Sequence, residues 1–448
     1  MQSFEIDKND LLLVRQALEE DDETLVNLLK DYHASEIANL CGKVSPEARE
    51  RIINVLPSDV ASEVLAEMGD EHHPEEILFN LDPEKRSEIV EELDYDDATD
   101  LISQMDEEDQ QEILEHLDEE DASNIRNLLS YEKDTAGGLM NTEIIKVNIN
   151  HTKKEALDEI IRQSEDMDDF YIYVVDDASI LQGFLSVKEV LKSRMDVHVI
   201  DMVNRDFVYV KAEMDQEEVA RLFSKYNLTS IPVVDDNLKL LGRITVDDII
   251  DVLEEESTED ILKIAGVSED EELGGTWQDA IKSRLPWLII NLGTAFLAAA
   301  IIRSFDATLS KLVILSSYMV IIAGMGGNAA TQALAVTVRR ISLIDLSDRQ
   351  AYITVFKEFL VGLINGASNG IIIFLIAVFF DHNLKLGIVL FLSMTGNLLI
   401  AGLAGSSIPL LLKRVGIDPA VASSIIITTF TDCFGFLLIL GLASKILL

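Results

Sequence analysis

Residues 415–444 read VGIDPAVASSIIITTFTDCFGFLLILGLAS. A helix needs about 20 mainly apolar residues to cross a bilayer, and this stretch qualifies with only two charges, Asp418 and Asp432. Upstream, Leu285–Ile302, Leu312–Val338, Phe359–Phe380 and Leu386–Leu412 are equally apolar and carry no charge at all. The expected fold of this part is therefore an α-helical membrane domain with five transmembrane helices. Bases cluster before the first stretch (Lys282, Arg284), between the second and third (Arg339, Arg340, Arg349, Lys357) and between the fourth and fifth (Lys413, Arg414). The positive-inside bias then predicts a cytoplasmic N-terminus and an external C-terminus, which an odd number of spans allows.

The rest of the chain is of another kind. Of 80 acids and 36 bases in 448 residues, residues 277–448 hold 8 and 12, leaving 72 and 24 in residues 1–276. A segment with net charge −48 repels phosphates, so nucleic acid is excluded as a partner. Met1–Leu13 contains Glu5, Asp7 and Asp10 and lacks the basic-then-apolar order of a signal peptide. Two cysteines, Cys41 and Cys433, lie in different halves and offer no disulfide framework, consistent with an acidic half in a reducing cytoplasm.

Polar residues within the apolar stretches are grouped. The second carries Gly324, Gly326, Gly327, Asn328, Thr331 and Gln332, and the third carries Asn365, Ser368 and Asn369. The fourth has Thr395, Asn397, Ser406 and Ser407, and the fifth has Thr428, Thr429, Thr431 and Asp432. Small residues let helix backbones approach, and hydroxyls or amides bond across helices, which accounts for most of these positions. Asp432 is different, because a carboxylate at mid-span costs roughly 3 kcal/mol on insertion scales. Two readings remain: an acid on an ion path, or a protonated structural acid. Asp418 and Asp432, about 21 Å apart if both lie on one helix, cannot form a protease dyad within one chain, so no enzyme is expected.

Residues 44–128 repeat about every twelve residues: Val44-Ser-Pro-Glu, Leu56-Pro-Ser-Asp, Met68-Gly-Asp-Glu, Leu81-Asp-Pro-Glu, Leu93-Asp-Tyr-Asp, Met105-Asp-Glu-Glu and Leu117-Asp-Glu-Glu. Each triplet is a helix cap, so the pattern predicts an all-α superhelical N-terminal domain over residues 1–130. His72-His73 opens one repeat helix as a surface pair. A second duplication, Tyr171-Ile-Tyr-Val-Val-Asp-Asp with Gly183 and Ile231-Pro-Val-Val-Asp-Asp with Gly242, spans residues 131–246. It resembles a tandem pair of α/β CBS domains, modules that often bind adenine nucleotides. From Asp247 to Leu273 the apolar spacing predicts a helix, within an acidic linker of residues 247–276. Asp247, Asp251, Glu255 and Glu259 fall at i+4 steps on it, with Glu256 and Asp260 alongside. Like charges at that spacing repel. The stripe is either a solvated face or a set of ligands for Mg²⁺ or Ca²⁺.

The order of acidic repeat, CBS pair, acidic linker and residues 277–448 with five spans resembles the MgtE family of bacterial magnesium transporters or channels. The resemblance rests on Tyr131-Glu-Lys-Asp-Thr-Ala-Gly-Gly-Leu-Met140, Gly326-Gly-Asn328 with Gln332, Gly416-Ile-Asp-Pro-Ala420 and Thr428-Thr-Phe-Thr-Asp432-Cys-Phe-Gly435. It implies a homodimer in the bacterial inner membrane, with the ion path on the two-fold axis and Mg²⁺ as both substrate and regulator. Asp432 matches the pore acid, with Asn328 and the Thr428 backbone near it. Asp418 matches a partner of Glu259 and Asp260 through a closing ion. Asp248 and Asp251 match contributors to regulatory ions, with Glu63, Asp96 and Asp100 opposite them. Tyr171, Lys188 and Glu189 fall where relatives contact ATP. The sequence departs from the pattern at Leu228 (an aromatic in relatives), at Ala330-Thr331 (often Gly-Asn) and at Asn227 (an acid in some). The function implied is a magnesium-selective, magnesium-gated conduit. A broader Co²⁺/Ni²⁺ transporter or an exchanger is the alternative, and a membrane-anchored CBS sensor is a third class that Asp432 disfavours.

Overall fold

The structure is a computed structural model that describes residues 8–163, 171–268, 271, 276–344, 347–421 and 424–448. It divides into two compact units, residues 1–253 and 254–448, with the division falling inside the linker helix Val246–Ala265.

The first unit begins with ten short α-helices between Lys8 and Leu128. All seven triplets open a helix where the sequence repeat places them, with one variation in helix type, but Pro57, Gly69, Asp82 and Asp94 make no side-chain cap bond, so the caps expected of those four are corrected. Ser45, Asp106 and Asp118 accept backbone N–H bonds as N-caps, and Pro46, Pro74 and Pro83 occupy first-turn positions where a missing N–H costs nothing. The variation is at Met68-Gly-Asp-Glu, which opens a 3₁₀ turn, Asp70–His72, before the α-helix resumes at Pro74. His73 turns the chain between them with φ +53°. One apolar residue per turn from each helix builds a continuous core, with Ile37, Ile52, Val64, Leu78, Ile89, Ile102, Ile113 and Ile125 all buried. Cys41 lies in this core, and burial pushes its thiol up to about 12, so it stays an inert thiol.

The duplication is carried through in three dimensions. Each copy has a three-stranded sheet with a parallel and then an antiparallel pairing: Lys146–Asn148, Tyr171–Val175, Leu181–Ser186, and Val210–Lys211, Ser230–Val234, Leu240–Thr245. Both copies slip register at the equivalent place, between Val174 and Val175 and between Val233 and Val234. The two turns also join the copies reciprocally. Leu181 N–H donates to Leu238 O at 2.9 Å, and Leu240 N–H donates to Ser179 O at 3.0 Å. Ser179 and Leu238 both adopt positive φ to make this exchange. Such paired bonds are the signature of a pseudo-two-fold axis between the copies.

The linker helix ends earlier than its apolar spacing predicts, at Ala265 rather than Leu273. Gly266 takes φ +76°, its N–H donating to Lys263 O while Val267 N–H donates to Leu262 O. These two bonds form a Schellman stop, which the sequence marks only by that glycine.

Among its described residues, the second unit contains five helices long and apolar enough to cross a membrane: Trp277–Ser304, Leu315–Leu343, Asp348–Phe380, Leu384–Arg414 and Ile425–Ile446. The third and fourth pack most closely through a glycine ladder. A Cβ on Gly362, Gly366 or Gly402 would lie within 2.6–2.8 Å of facing backbone atoms of Leu398, Thr395 or Glu358. Side chains cannot occupy that space, so glycine is required there. The fifth span is shorter than expected. Gly416 has φ +74°, Pro419–Val421 form a 3₁₀ turn, and the helix resumes at Ser424. Asp418 therefore sits in the connection before the span, and the expectation that it shares a helix with Asp432 is corrected.

The polar groups of the spans also depart in part from the cross-helix bonding expected of them. Ser368, Thr395 and Ser406 donate to carbonyls four residues back in their own helices, and Asn369 does likewise. That local option satisfies the donor without a partner helix. Asn397 and Thr429 do bond across helices, to Ile322 O and to the Thr294 hydroxyl, each at 2.9 Å.

Candidate functional site

Span two presents two faces. Ile322, Gly326, Ala330 and Leu334 are buried, at i+4 steps. Rotated from them, Val320, Ala323, Gly324, Gly327, Asn328 and Thr331 line a cavity of about 540 Å³. Span five repeats the scheme: Ile427, Thr431, Gly435 and Ile439 are buried, while Thr428, Asp432 and Phe436 complete the cavity wall. Asn328, Thr428 and Asp432 are thus brought together, and Asp432 is the charged residue of the lining. The backbone of Thr428 is less available than its place suggests, because its carbonyl accepts the Thr431 hydroxyl at 2.9 Å. Thr428 reaches the cavity through its side chain, whose Cγ2 lies 3.0 Å from where a Cβ on Gly327 would be. Of the two departures in span two, Ala330 is buried, its carbonyl 2.6 Å from a Cβ position on Gly405, and Thr331 keeps a hydroxyl in the lining.

Around the connection before span five, the second unit gathers three of the expected acids. Lys263 Nζ pairs with Asp418 Oδ2 at 2.9 Å and also with Glu259, so one ammonium bridges two carboxylates. Asp260 accepts the Ser342 hydroxyl at 2.9 Å, and Asp418 Oδ1 accepts Ala420 N–H at 2.8 Å. Ile264 packs against the buried cluster of Ala330, Leu334, Val338, Ala401, Ala420 and Ile427. The role of Lys263 was not expected, although its position four residues after Glu259 is the sequence signal for the pairing.

In the first unit, Asp248 stands close enough to Asp96 to raise its carboxyl. Burial holds the Asp96 carboxyl well above the usual range, and the charges of Asp248, Asp97 and Asp94 push it further. Burial is also the main cause of raising Asp97 to about 7 and Asp248 to about 6, the latter against two bonds from Thr245 at 2.8 and 3.0 Å. Asn141 Nδ2 donates to Asp96 at 3.2 Å. Asp94, Asp96 and Asp97 can each offer an oxygen within 4.8 Å of the others. Asp94 and Asp97 were missed as candidates: the repeat reads Asp94 as an ordinary cap residue, and Asp97 falls just after the triplet. Asp100 is exposed and its charge adds to the rise at Asp97, while Glu63 and Asp251 lie on exposed helix faces outside this trio. His73 pairs with Glu75 at 3.1 Å, and these two with Glu76 can each offer a ligand atom within 4.8 Å of the others.

Tyr171 and Ser186 are cross-strand partners, and the helix Val187–Lys192 starts directly after Ser186. Lys188 and Glu189 are therefore exposed on the first turn beside Tyr171, whose ring meets Phe184 edge-on at 5.2 Å. Leu228 packs against the buried core of the second copy, and Asn227 caps the preceding helix at φ +51°, a conformation asparagine tolerates well.

Comparison with known proteins places these features. A family model described as a divalent cation transporter matches residues 319–442, one for the MgtE intracellular N domain matches residues 6–134, and CBS domains match residues 136–196 and 199–255. The chain is 34% identical to the magnesium transporter MgtE of Thermus thermophilus over 97% of its own length and 98% of the relative's. It is 37% identical to the Enterococcus faecalis magnesium transporter MgtE over 71% of each chain. A crystal structure of the cytosolic domain of the Mg²⁺ channel MgtE in complex with ATP covers 54% of this chain and 99% of its own, with 34% identity and a TM-score of 0.52. Five apolar spans, a helical repeat and a CBS pair thus define a multi-pass membrane protein of the divalent-cation-transporter class. Within that class, the chain belongs to the MgtE family.

The raised carboxyls set a pH dependence for the ion-free protein. Protonation is favoured in the folded state, so the stability they contribute is full below the ordinary aspartate value of about 3.9. It is lost as pH rises through about 6 for Asp248 and about 7 for Asp97. In chelator, hydrogen exchange corrected for intrinsic rate should show residues 94–103 and 245–252 better protected at pH 5 than at pH 8, with Mg²⁺ restoring protection at pH 8. Equal protection at both pH values would mean that these acids are not held together.

Proposed function

We propose that the protein is a magnesium-selective conduit gated shut by cytosolic Mg²⁺. The observation that carries the reading is the cavity in which Asp432 is set among the Asn328 amide and the Thr428 and Thr331 hydroxyls. A carboxylate attracts a divalent cation, while neutral oxygens replace part of its water; Mg²⁺ keeps several waters, and a cavity of this size admits them. An inside-negative potential favours entry by about 2.3 kcal/mol per charge per 100 mV, so no chemical energy source is required. The N-terminus is cytoplasmic and the C-terminus external in this reading, following the positive-inside bias. Two chains associate with their cavities facing. Support for that comes from Val320, which is 73% exposed beside the lining residues Gly324 and Asn328, also exposed, so that the wall is incomplete in one copy. Relatives carrying magnesium in their names support the substrate, and the ATP complex of a related cytosolic domain supports a nucleotide at Tyr171, Lys188 and Glu189.

Removing the lining charge tests conduction. Asp432→Ala should fold and dimerise, yet lose Mg²⁺ uptake into liposomes by about tenfold or more, equivalent to about 1.4 kcal/mol. Uptake and selectivity unchanged from the wild type would take Asp432 out of the mechanism.

Gating follows from repulsion. Two carboxylates 6 Å apart repel by about 0.7 kcal/mol in water and by about 3 kcal/mol at an effective dielectric constant of 20. Several such pairs together bias a two-state element by several kcal/mol, enough to shift it most of the way. Mg²⁺ shared by Asp248 and Asp251 with Glu63, Asp96 and Asp100, and by Glu259 and Asp260 with Asp418, relieves that repulsion and draws the linker helix into its closing position. The combined variant Asp248→Asn, Asp251→Asn, Glu259→Gln, Asp260→Asn should stay open at high Mg²⁺. Its linker should need roughly tenfold more Mg²⁺ for protease protection. If Mg²⁺ protects it at the wild-type concentration, the acidic stripe is a solvated face and the sensor lies elsewhere.

A further inference from the structure

Asn397, in the middle of span four, is fully buried, and its Nδ2 donates to Ile322 O of span two at 2.9 Å. Among the described residues its Oδ1 has no hydrogen-bond partner, and one turn earlier Ser393 is fully buried with its hydroxyl likewise unpartnered. Burying an amide half-satisfied costs about 1–3 kcal/mol, so an apolar residue would fill this position more stably. Stability alone does not account for the side chain.

What it touches does. A Cβ on Gly326 would lie 2.2 Å from Asn397 Nδ2, and a Cβ on Gly435 would lie 2.9 Å from the same atom. The amide is therefore held between two glycines, one on span two and one on span five. Gly326 is two residues before Asn328, and Gly435 is three residues after Asp432. Each glycine lies on the packing face of the helix whose neighbouring face supplies the cavity wall. The thickness of the amide fixes how closely those two packing faces approach. The bond to Ile322 O fixes the height of span two against span four. Together they set the spacing between Asn328 and Asp432 across the cavity.

We infer that Asn397 is a positioning residue for ion selectivity: a wedge between Gly326 and Gly435 that sets the separation of Asn328 from Asp432. It does not touch the ion. The inference rests on the reading of the cavity as the ion path, and it deepens that reading by naming what fixes the width.

The test is a double-substitution cycle in the full-length protein, using Mg²⁺ and Co²⁺ separately as probes of uptake into liposomes. Gly326→Ala introduces a methyl against Nδ2 and should reduce Mg²⁺ uptake roughly tenfold and lower the thermal midpoint in detergent. Asn397→Ala should still take up metal, but with the Mg²⁺-to-Co²⁺ ratio changed by about threefold or more, because the lining spacing is no longer fixed. Combining them should restore uptake and midpoint towards those of Asn397→Ala, since the methyl then has room. If Asn397→Ala does not yield folded protein, Asn397→Ser, which keeps a hydroxyl but not the reach to Ile322 O, takes its place with the same expectations. No rescue in the double variant overturns the wedge. A fall in uptake with the metal ratio unchanged overturns the selectivity role and leaves Asn397 as packing. The thermal cycle does not depend on conduction, and an unaltered Asp432→Ala protein would refute the ion path without touching it, so the two failures are distinguishable.

Discussion

An ionised carboxylate at the middle of an apolar helix bundle is unfavourable by roughly 3 kcal/mol on insertion scales, and among the described residues no lysine or arginine on the cavity wall neutralises Asp432. The second unit is arranged around that constraint. Glycines on one face of spans two, three and four bring backbones together, which leaves the adjacent face of spans two and five free to carry hydroxyls and an amide. A wall of polar but uncharged groups around one acid is an environment that a hydrated divalent cation completes.

The same physics operates at lower cost outside the spans. Burial, with neighbouring acids adding to it, raises the carboxyls of Asp96, Asp97 and Asp248, the last two to about 7 and about 6, and Glu259 and Asp418 share the ammonium of Lys263. Lysine is a compact point charge on a flexible stem, so it can bridge two acids as a small cation does, though with one charge rather than two. In the proposed gating, Mg²⁺ must compete with Lys263 for the Asp418 carboxylate. That competition gives closure a threshold, because the ion gains only the difference between its own binding and the ion pair it displaces.

Much of the fold was legible because periodicity reports it directly. Capping triplets twelve residues apart located seven helix starts, and a 59-residue duplication extended even to the matched positive-φ turns at Ser179 and Leu238. Where reading by pattern failed, single residues with special backbone geometry decided the outcome. Gly266 stops the linker helix and Gly416 breaks the connection to span five, and neither interrupts the hydrophobic pattern around it. The candidate site was legible where chemistry is conspicuous, as with Asp432 among apolar neighbours. It was hidden where proximity is created by folding: Lys263 against Asp418 spans 155 residues, and Asp94 and Asp97 join Asp96 only through the turn that begins their helix. Asn397 looked like one packing amide among several until its two glycine neighbours were seen on different helices.

In the proposed mechanism Mg²⁺ moves down its electrical gradient through a path that Mg²⁺ itself closes from the side of the acidic half. Purified protein in liposomes, oriented and held at an inside-negative potential without any counter-ion gradient, measures this directly when the Mg²⁺ concentration facing residues 1–276 is varied. Sustained Mg²⁺ flux is expected at low concentration on that side, and its loss as the concentration rises, with the transmembrane driving force held constant. Flux that requires a counter-ion gradient, or that is indifferent to Mg²⁺ on the acidic side, would contradict it.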